Sequence, residues 1–330
     1  MATMDVRPVG DATDPGRAGT IPARRPPGRG SLPRRAAAVL ERASRRTVRR
    51  ARRLACVPAV QVAARVGFLG KTVLYGVVGA LALQTALGLR GGRTIDVKEA
   101  LLVLDVGAAG RATTVLVGAA IAILGGWFVL DGLANPLRAR AGRLQAISRV
   151  GQAIGGAGYV ALGALGIRLA LGEGIGPSGD QLARGFAARV LEQPTGPLAM
   201  GVIGVGAIVI GVRQARLGVT HASLETLDLE RFSAGFRQRV AAVAALGFGT
   251  QGAIFALVGA FLVQAAFERQ PLEATGTGGA LAALARKPYG TTLLLSAAIG
   301  LLAYALYAGL EGALKRMPQR EGKSRRAAAA

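Results

Sequence analysis

Four polar residues stand in strongly apolar surroundings: Lys71, Asp131, Gln251 and Glu311. A charge or amide held away from water is costly unless it is paired or reaches an interface, so these are the first candidates for chemistry. Their spacing relates them. Lys71 and Gln251 each follow a glycine (Gly67, Gly247) by four residues, and Asp131 and Glu311 each follow another (Gly110, Gly290) by 21. A third copy of the frame, counted from Gly151 and Gly196, holds Gly155 and Leu217 at those places. Where the acid is missing, its polar partner is missing too. The sequence therefore predicts a contact inside each copy, ionic between Lys71 and Asp131 and hydrogen-bonded between Gln251 and Glu311. Such contacts suit a structural clasp or a proton or ion relay; Lys71 reaching the headgroups is the third reading.

Other chemistry is sparse. His221 is the single histidine and Cys56 the single cysteine, so no zinc or haem spacing, histidine-based triad or intrachain disulfide can be built. The glycine-rich strings follow no predicted strand, which argues against a phosphate loop. No carboxylates pair at catalytic spacing. The expectation is no enzyme, no cofactor and no metal. A further polar set, Gln84, Arg168 and Gln264, falls near one end of the apolar runs. Trp127, Arg213 and Tyr307 fall near the other, where such residues serve as interfacial anchors.

These residues ride on a repeated stripe. From the origins Gly67, Gly151 and Gly247, the eighth residue on is aromatic (Tyr75, Tyr159, Phe255) and the twelfth is glycine (Gly79, Gly163, Gly259). Four residues turn a helix by about 400°, so the stripe follows one slowly drifting face. Small residues at this spacing let helix backbones approach, and the stripe is read first as packing. Its functional reading is a cavity lined by all three copies about a threefold pseudo-axis.

Composition says where such helices belong. Of 330 residues 51% are hydrophobic and only 18% charged, and mean hydropathy is +0.40, too apolar for a soluble surface of this size. Six stretches, about 66–89, 113–134, 150–171, 198–217, 241–266 and 291–312, have the roughly 20 residues needed to cross a hydrocarbon core. The fold class is all-α: a polytopic membrane protein with six transmembrane helices as three repeated antiparallel pairs, in units of about 62–140, 147–220 and 238–314. Within each unit a short amphipathic stretch (98–106, 180–191, 278–287) precedes the glycine that opens the return helix. These are expected to lie at the interface or cap the bundle.

Charge orients the chain. Thirty basic residues fall in the N-terminal arm, two alternate loops and the C-terminal tail, against nine in the other three connections. The positive-inside rule then places both termini in the cytoplasm. Residues 1–61 read as a disordered cytoplasmic arm with a basic helix over 36–56, and 315–330 as a basic tail. No apolar segment precedes the first span, so no secretory signal is expected. Arg45, Arg46, Arg49, Arg50, Arg52 and Arg53 form a cationic face suited to anionic lipid headgroups or an acidic cytoplasmic protein. Nucleic acid is disfavoured, because no aromatic residues interleave for stacking.

The segment ARVGFLGKTVLYGVVGALALQTALG, echoed by SRVGQAIGGAGYVALGALGIRLALG and AALGFGTQGAIFALVGAFLVQAAF, resembles the bacterial domain-of-unknown-function family numbered 1206. The resemblance covers about residues 62–314. It implies a membrane location and three tandem two-helix units, and brings no reaction, ligand or catalytic residue with it. The leading expectation is a structural or interaction role. A small channel or transporter near Lys71/Asp131 and Gln251/Glu311 is second, and a lipid-acting enzyme a distant third.

Overall fold

The computed structural model describes residues 56–89, 97–134, 143–173, 178–220 and 222–316. The six arginines of the basic arm and the 36–56 helix lie outside the described residues, as do His221 and nearly all of the tail.

Nine α-helices are described: α1 Pro58–Ala86, α2 Val97–Leu104, α3 Gly107–Ala134, α4 Arg143–Ala170, α5 Gly179–Leu191, α6 Gly196–Val219, α7 Ala234–Glu268, α8 Thr277–Ala285 and α9 Gly290–Leu314. The fold is all-α, and α1, α3, α4, α6, α7 and α9 are long and apolar enough to cross a membrane. Helix α7 starts two turns before its apolar run, because the Ser233 hydroxyl caps it by accepting from the Phe236 amide at 3.3 Å. Pro58 opens α1, where its missing amide costs nothing. The connection after α6 is tied to the end of α9, with the Asp228 amide donating to the Leu314 carbonyl at 2.8 Å.

The short helices α2, α5 and α8 occupy the three predicted places. A glycine follows each because the return helix starts against the backbone of the helix before it. A Cβ on Gly110 would lie 2.5 Å from the Leu104 carbonyl oxygen, on Gly196 1.9 Å from that of Val190, and on Gly290 2.0 Å from that of Ala285. Only glycine fits all three corners. Asp180, in the first turn of α5, accepts from the Gly276 and Gly279 amides at 2.7 and 3.1 Å and so caps α8.

The six long helices pack side by side in the order α4, α3, α1, α9, α7, α6. The most extensive contacts join different units: α3 with α4, α6 with α7, and α9 with α1. Contacts within a unit, α1 with α3 and α7 with α9, are smaller, and α4 and α6 of the middle unit do not pack against each other. The sequence predicts three self-contained pairs; the larger contacts instead join neighbouring units.

The stripe explains why. Twelve residues rotate a helix by about 120° net, so its two ends face different neighbours. The last glycine of each stripe meets the preceding unit's return helix, with the first unit meeting the third, at an equivalent place: Gly79 at Leu302, Gly163 at Ala122, Gly259 at Ile208. The first glycine faces its own unit's return helix, Gly67 at Leu124 and Gly247 at Tyr304. Gly151 faces nothing within 4 Å. Spacing by seven keeps a face in place, and Gly118 and Gly125 accordingly oppose Gly163 and Gly156, while Gly204 and Gly211 oppose Gly259 and Gly252.

Candidate functional site

Four of the six middle positions of the stripe come together. Lys71 and Tyr75 come from α1, Tyr159 from α4 and Gln251 from α7. The Tyr75 and Tyr159 hydroxyls stand 3.4 Å apart, and the Gln251 amide donates to the Tyr75 hydroxyl at 3.3 Å. One hydroxyl of the first unit thus touches polar groups of both others. Lys71 is buried with its ammonium 4.5 Å from the centre of the Tyr304 ring, a cation–π contact with α9.

Aromatic rings fill the space around this hub. Tyr75 meets Tyr304 edge-on at 4.9 Å, Phe248 lies 5.5 Å from Tyr304, and Phe128 lies 5.7 Å from Tyr159. Edge-on rings pack as apolar cores do. Phe255, the third unit's stripe aromatic, is half-buried and joins no ring pair among the described residues. Its expected place is taken by Tyr304, so the three copies do not line the centre equally.

Both predicted in-unit contacts need correction. Among the described residues no ion pair joins Lys71 to Asp131; Asp131 accepts from Gln152 of α4 at 2.8 Å, across the unit boundary. Gln251 reaches Tyr75 rather than Glu311. Glu311 pairs with Lys315, one turn along its own helix, at 2.6 Å. Lys315 also sits 4.7 Å over the Phe68 ring, and Lys71 is within electrostatic reach of Glu311. Arg65 closes this end of the α9–α1 seam, donating to the Ala313 carbonyl at 2.6 Å. The cause is the packing above: α1 turns its polar face past α3 toward α9.

Tyr304, Lys315, Gln152 and Phe248 were not singled out by spacing. Tyr304 had a signal, since it stands where the other return helices carry Leu124 and Ile210. The expected anchors Trp127 and Tyr307 are inside the bundle, 3% and 2% exposed, whereas Arg213 at the same frame position is exposed. Trp127 packs beside Ala64 of α1, and the Tyr307 hydroxyl donates to the Ser223 carbonyl at 2.9 Å. Arg168 forms an exposed pair with Glu173 at 2.6 Å, and Gln264 donates to Glu268 at 2.9 Å. Among the described residues no His, Cys, Asp or Glu cluster is arranged for a metal ion.

Apolar spanning helices around a small buried polar hub define an integral membrane protein of repeated helical units. Residues 150–221 and 246–315 match the family model described as Domain of Unknown Function (DUF1206). Each match spans one outgoing, one short and one return helix. Uncharacterized protein YxxB of Bacillus subtilis (strain 168) is similar to this chain, 28% identical over 253 residues covering 77% of this chain and 90% of the relative. No solved structure matches.

Proposed function

We propose that this chain is a structural or interaction protein of the bacterial inner membrane, not an enzyme. Both termini face the cytoplasm, and the arginine-rich arm engages anionic lipid or a cytoplasmic partner. The observation carrying the reading is Tyr75, whose hydroxyl contacts both other units while aromatic rings occupy the space around it. Such a centre locks helices together and leaves the arm as the element that reaches outward. The test is reconstitution in liposomes with measurement of proton and common-ion flux. Flux equal to that of empty vesicles is expected, together with loss of co-purifying partners when residues 1–60 are removed.

A second reading, a small channel or transporter, is favoured by one observation: Lys71, Glu311 and Lys315 gather charge between α1 and α9. Flux that falls on Lys71→Met or Glu311→Gln would establish it and overturn the first.

A further inference from the structure

The connection between α6 and α7 is folded against the bundle. From Leu227 it reads Leu-Asp-Leu-Glu, and in an extended chain alternate side chains face opposite sides. Leu227 and Leu229 are accordingly buried, and Glu230 is exposed. The two leucines share one buried cluster with Ala244 and Phe248 of α7 and Tyr304 and Tyr307 of α9, and Tyr75 packs against it. Tyr304 in turn carries Lys71 over its ring. The leucines therefore cover the hub at this end.

The bonds that fasten this cover run to α9 and its end. The Asp228 amide donates to the Leu314 carbonyl at 2.8 Å and the Arg316 amide to the Thr226 carbonyl at 2.9 Å, which sets Leu227 opposite Lys315 in an antiparallel bridge. The Tyr307 hydroxyl donates to the Ser223 carbonyl at 2.9 Å. On the outside, the pairs Asp228–Arg231 and Glu230–Arg316 face solvent, where ion pairs are weak. Lys315 has a second role. Its side chain turns into the seam between α1 and α9, to the Glu311 carboxylate at 2.6 Å and over the Phe68 ring. One residue thus fastens the cover with its backbone and completes the buried charge with its side chain. The closed arrangement also carries a cost: among the described residues the buried Ser223 hydroxyl has no hydrogen-bond partner, and lifting it into water would supply one.

We propose that residues 223–232 form a strap that opens as a unit, with Lys315 as its latch. Closed, the strap keeps water at this end away from the aromatic cluster. Segments held by few bonds open before the packed helices around them. Losing the Glu311–Lys315 pair loosens the latch and so the strap, although Glu311 lies in α9 and outside the strap. The device is the same whether or not the chain moves ions.

The test uses the full chain with Cys56→Ser, which removes its only thiol, and Ala244→Cys as reporter beneath the strap. Ala265→Cys, buried about 30 Å further along α7 in a separate cluster, is the control. The rate at which a charged maleimide labels the purified protein in detergent reports opening. Asp228→Pro removes the amide that donates to Leu314, and Leu227 before it is already extended, at φ −98° and ψ 148°, as a residue preceding proline must be. Asp228→Pro and Glu311→Gln should each speed labelling of Ala244→Cys by at least about 5-fold, the effect of one ordinary hydrogen bond on an opening equilibrium, and leave Ala265→Cys unchanged. Arg231→Gln, which breaks only an exposed pair, should change neither rate. If Asp228→Pro does not fold, Tyr307→Phe removes the bond to Ser223 and takes its place. Unchanged labelling of Ala244→Cys overturns the proposal. So does an equal rise at both reporters, because the helices would then separate together. A rise with Asp228→Pro alone overturns Lys315 as the latch. Ion flux and arm-dependent partners, which decide the functional reading, do not enter these rates.

Discussion

Gly125 and Gly156 stand backbone against backbone: a Cβ on Gly125 would fall 2.5 Å from the Gly156 carbonyl oxygen, and one on Gly156 2.7 Å from that of Gly125. These residues belong to different repeat units. The closest backbone-to-backbone approaches of the long helices therefore stitch units together. In a bilayer, where lipid is as apolar as the helix surface, such close backbone packing replaces the hydrophobic drive of water.

Alanine at these seams should separate the helices. Gly125→Ala and Gly211→Ala each place a methyl 2.5 Å from a carbonyl oxygen and are expected to cost about 1–3 kcal/mol. Gly155→Ala and Gly158→Ala meet open space and should be neutral or stabilising by up to about 1 kcal/mol, since alanine favours helix. Thermal unfolding in detergent, followed by helical circular dichroism, separates the two sets. Equal losses in both would mean that the bundle is assembled differently.

The hub should behave as a unit. Tyr75→Phe removes the hydroxyl that Gln251 donates to, and Gln251→Leu removes the donor. A double-mutant cycle should give a coupling of about 0.6 kcal/mol, typical of a hydrogen bond between membrane helices. Strictly additive losses would remove Tyr75 from its place as the junction.

Lys71 and Asp131 should not couple. Lys71→Met and Asp131→Leu are expected to add within about 0.5 kcal/mol, because each has a different partner, Tyr304 and Gln152. Asp131→Leu with Gln152→Leu should be clearly non-additive. The same unfolding measurement applies, and rescue by the charge swap Lys71→Asp with Asp131→Lys would contradict the structure.

Two ion pairs of similar length should differ in weight. Glu311 and Lys315 are mostly buried, so Glu311→Gln leaves an ammonium without its counter-charge and should cost about 3 kcal/mol. Arg168 and Glu173 are solvent-facing, and Glu173→Gln should change stability by less than about 1 kcal/mol. Comparable effects from both would place Glu311 in a wetter setting than its surroundings imply.

Some of the site was legible and some was not. Lys71, Tyr75, Tyr159 and Gln251 were marked by spacing because they share one inward face, and all four are in the hub. Lys71 and Gln251 do not meet the partners that spacing predicts, Asp131 and Glu311, because co-occurrence along the chain does not tell which unit a face meets. Phe255 was included by periodicity yet stands apart from the rings. Arg213, grouped with Trp127 and Tyr307, differs because its unit has no closed interior to receive it.

The sequence by itself determined what is local. Apolar runs of spanning length, short helices before each return, and glycines at the corners follow from hydrophobicity and from backbone clearance within about 15 residues. Only the tertiary structure decided which neighbour each face meets. A stripe drifting by about 40° per step reaches three directions over its length: own return helix, centre and neighbouring unit. One dimension cannot separate them. Whether Gly151 meets Ile210 depends on how α3, α4, α6 and α7 pair first, and those seams hold the middle unit's helices apart.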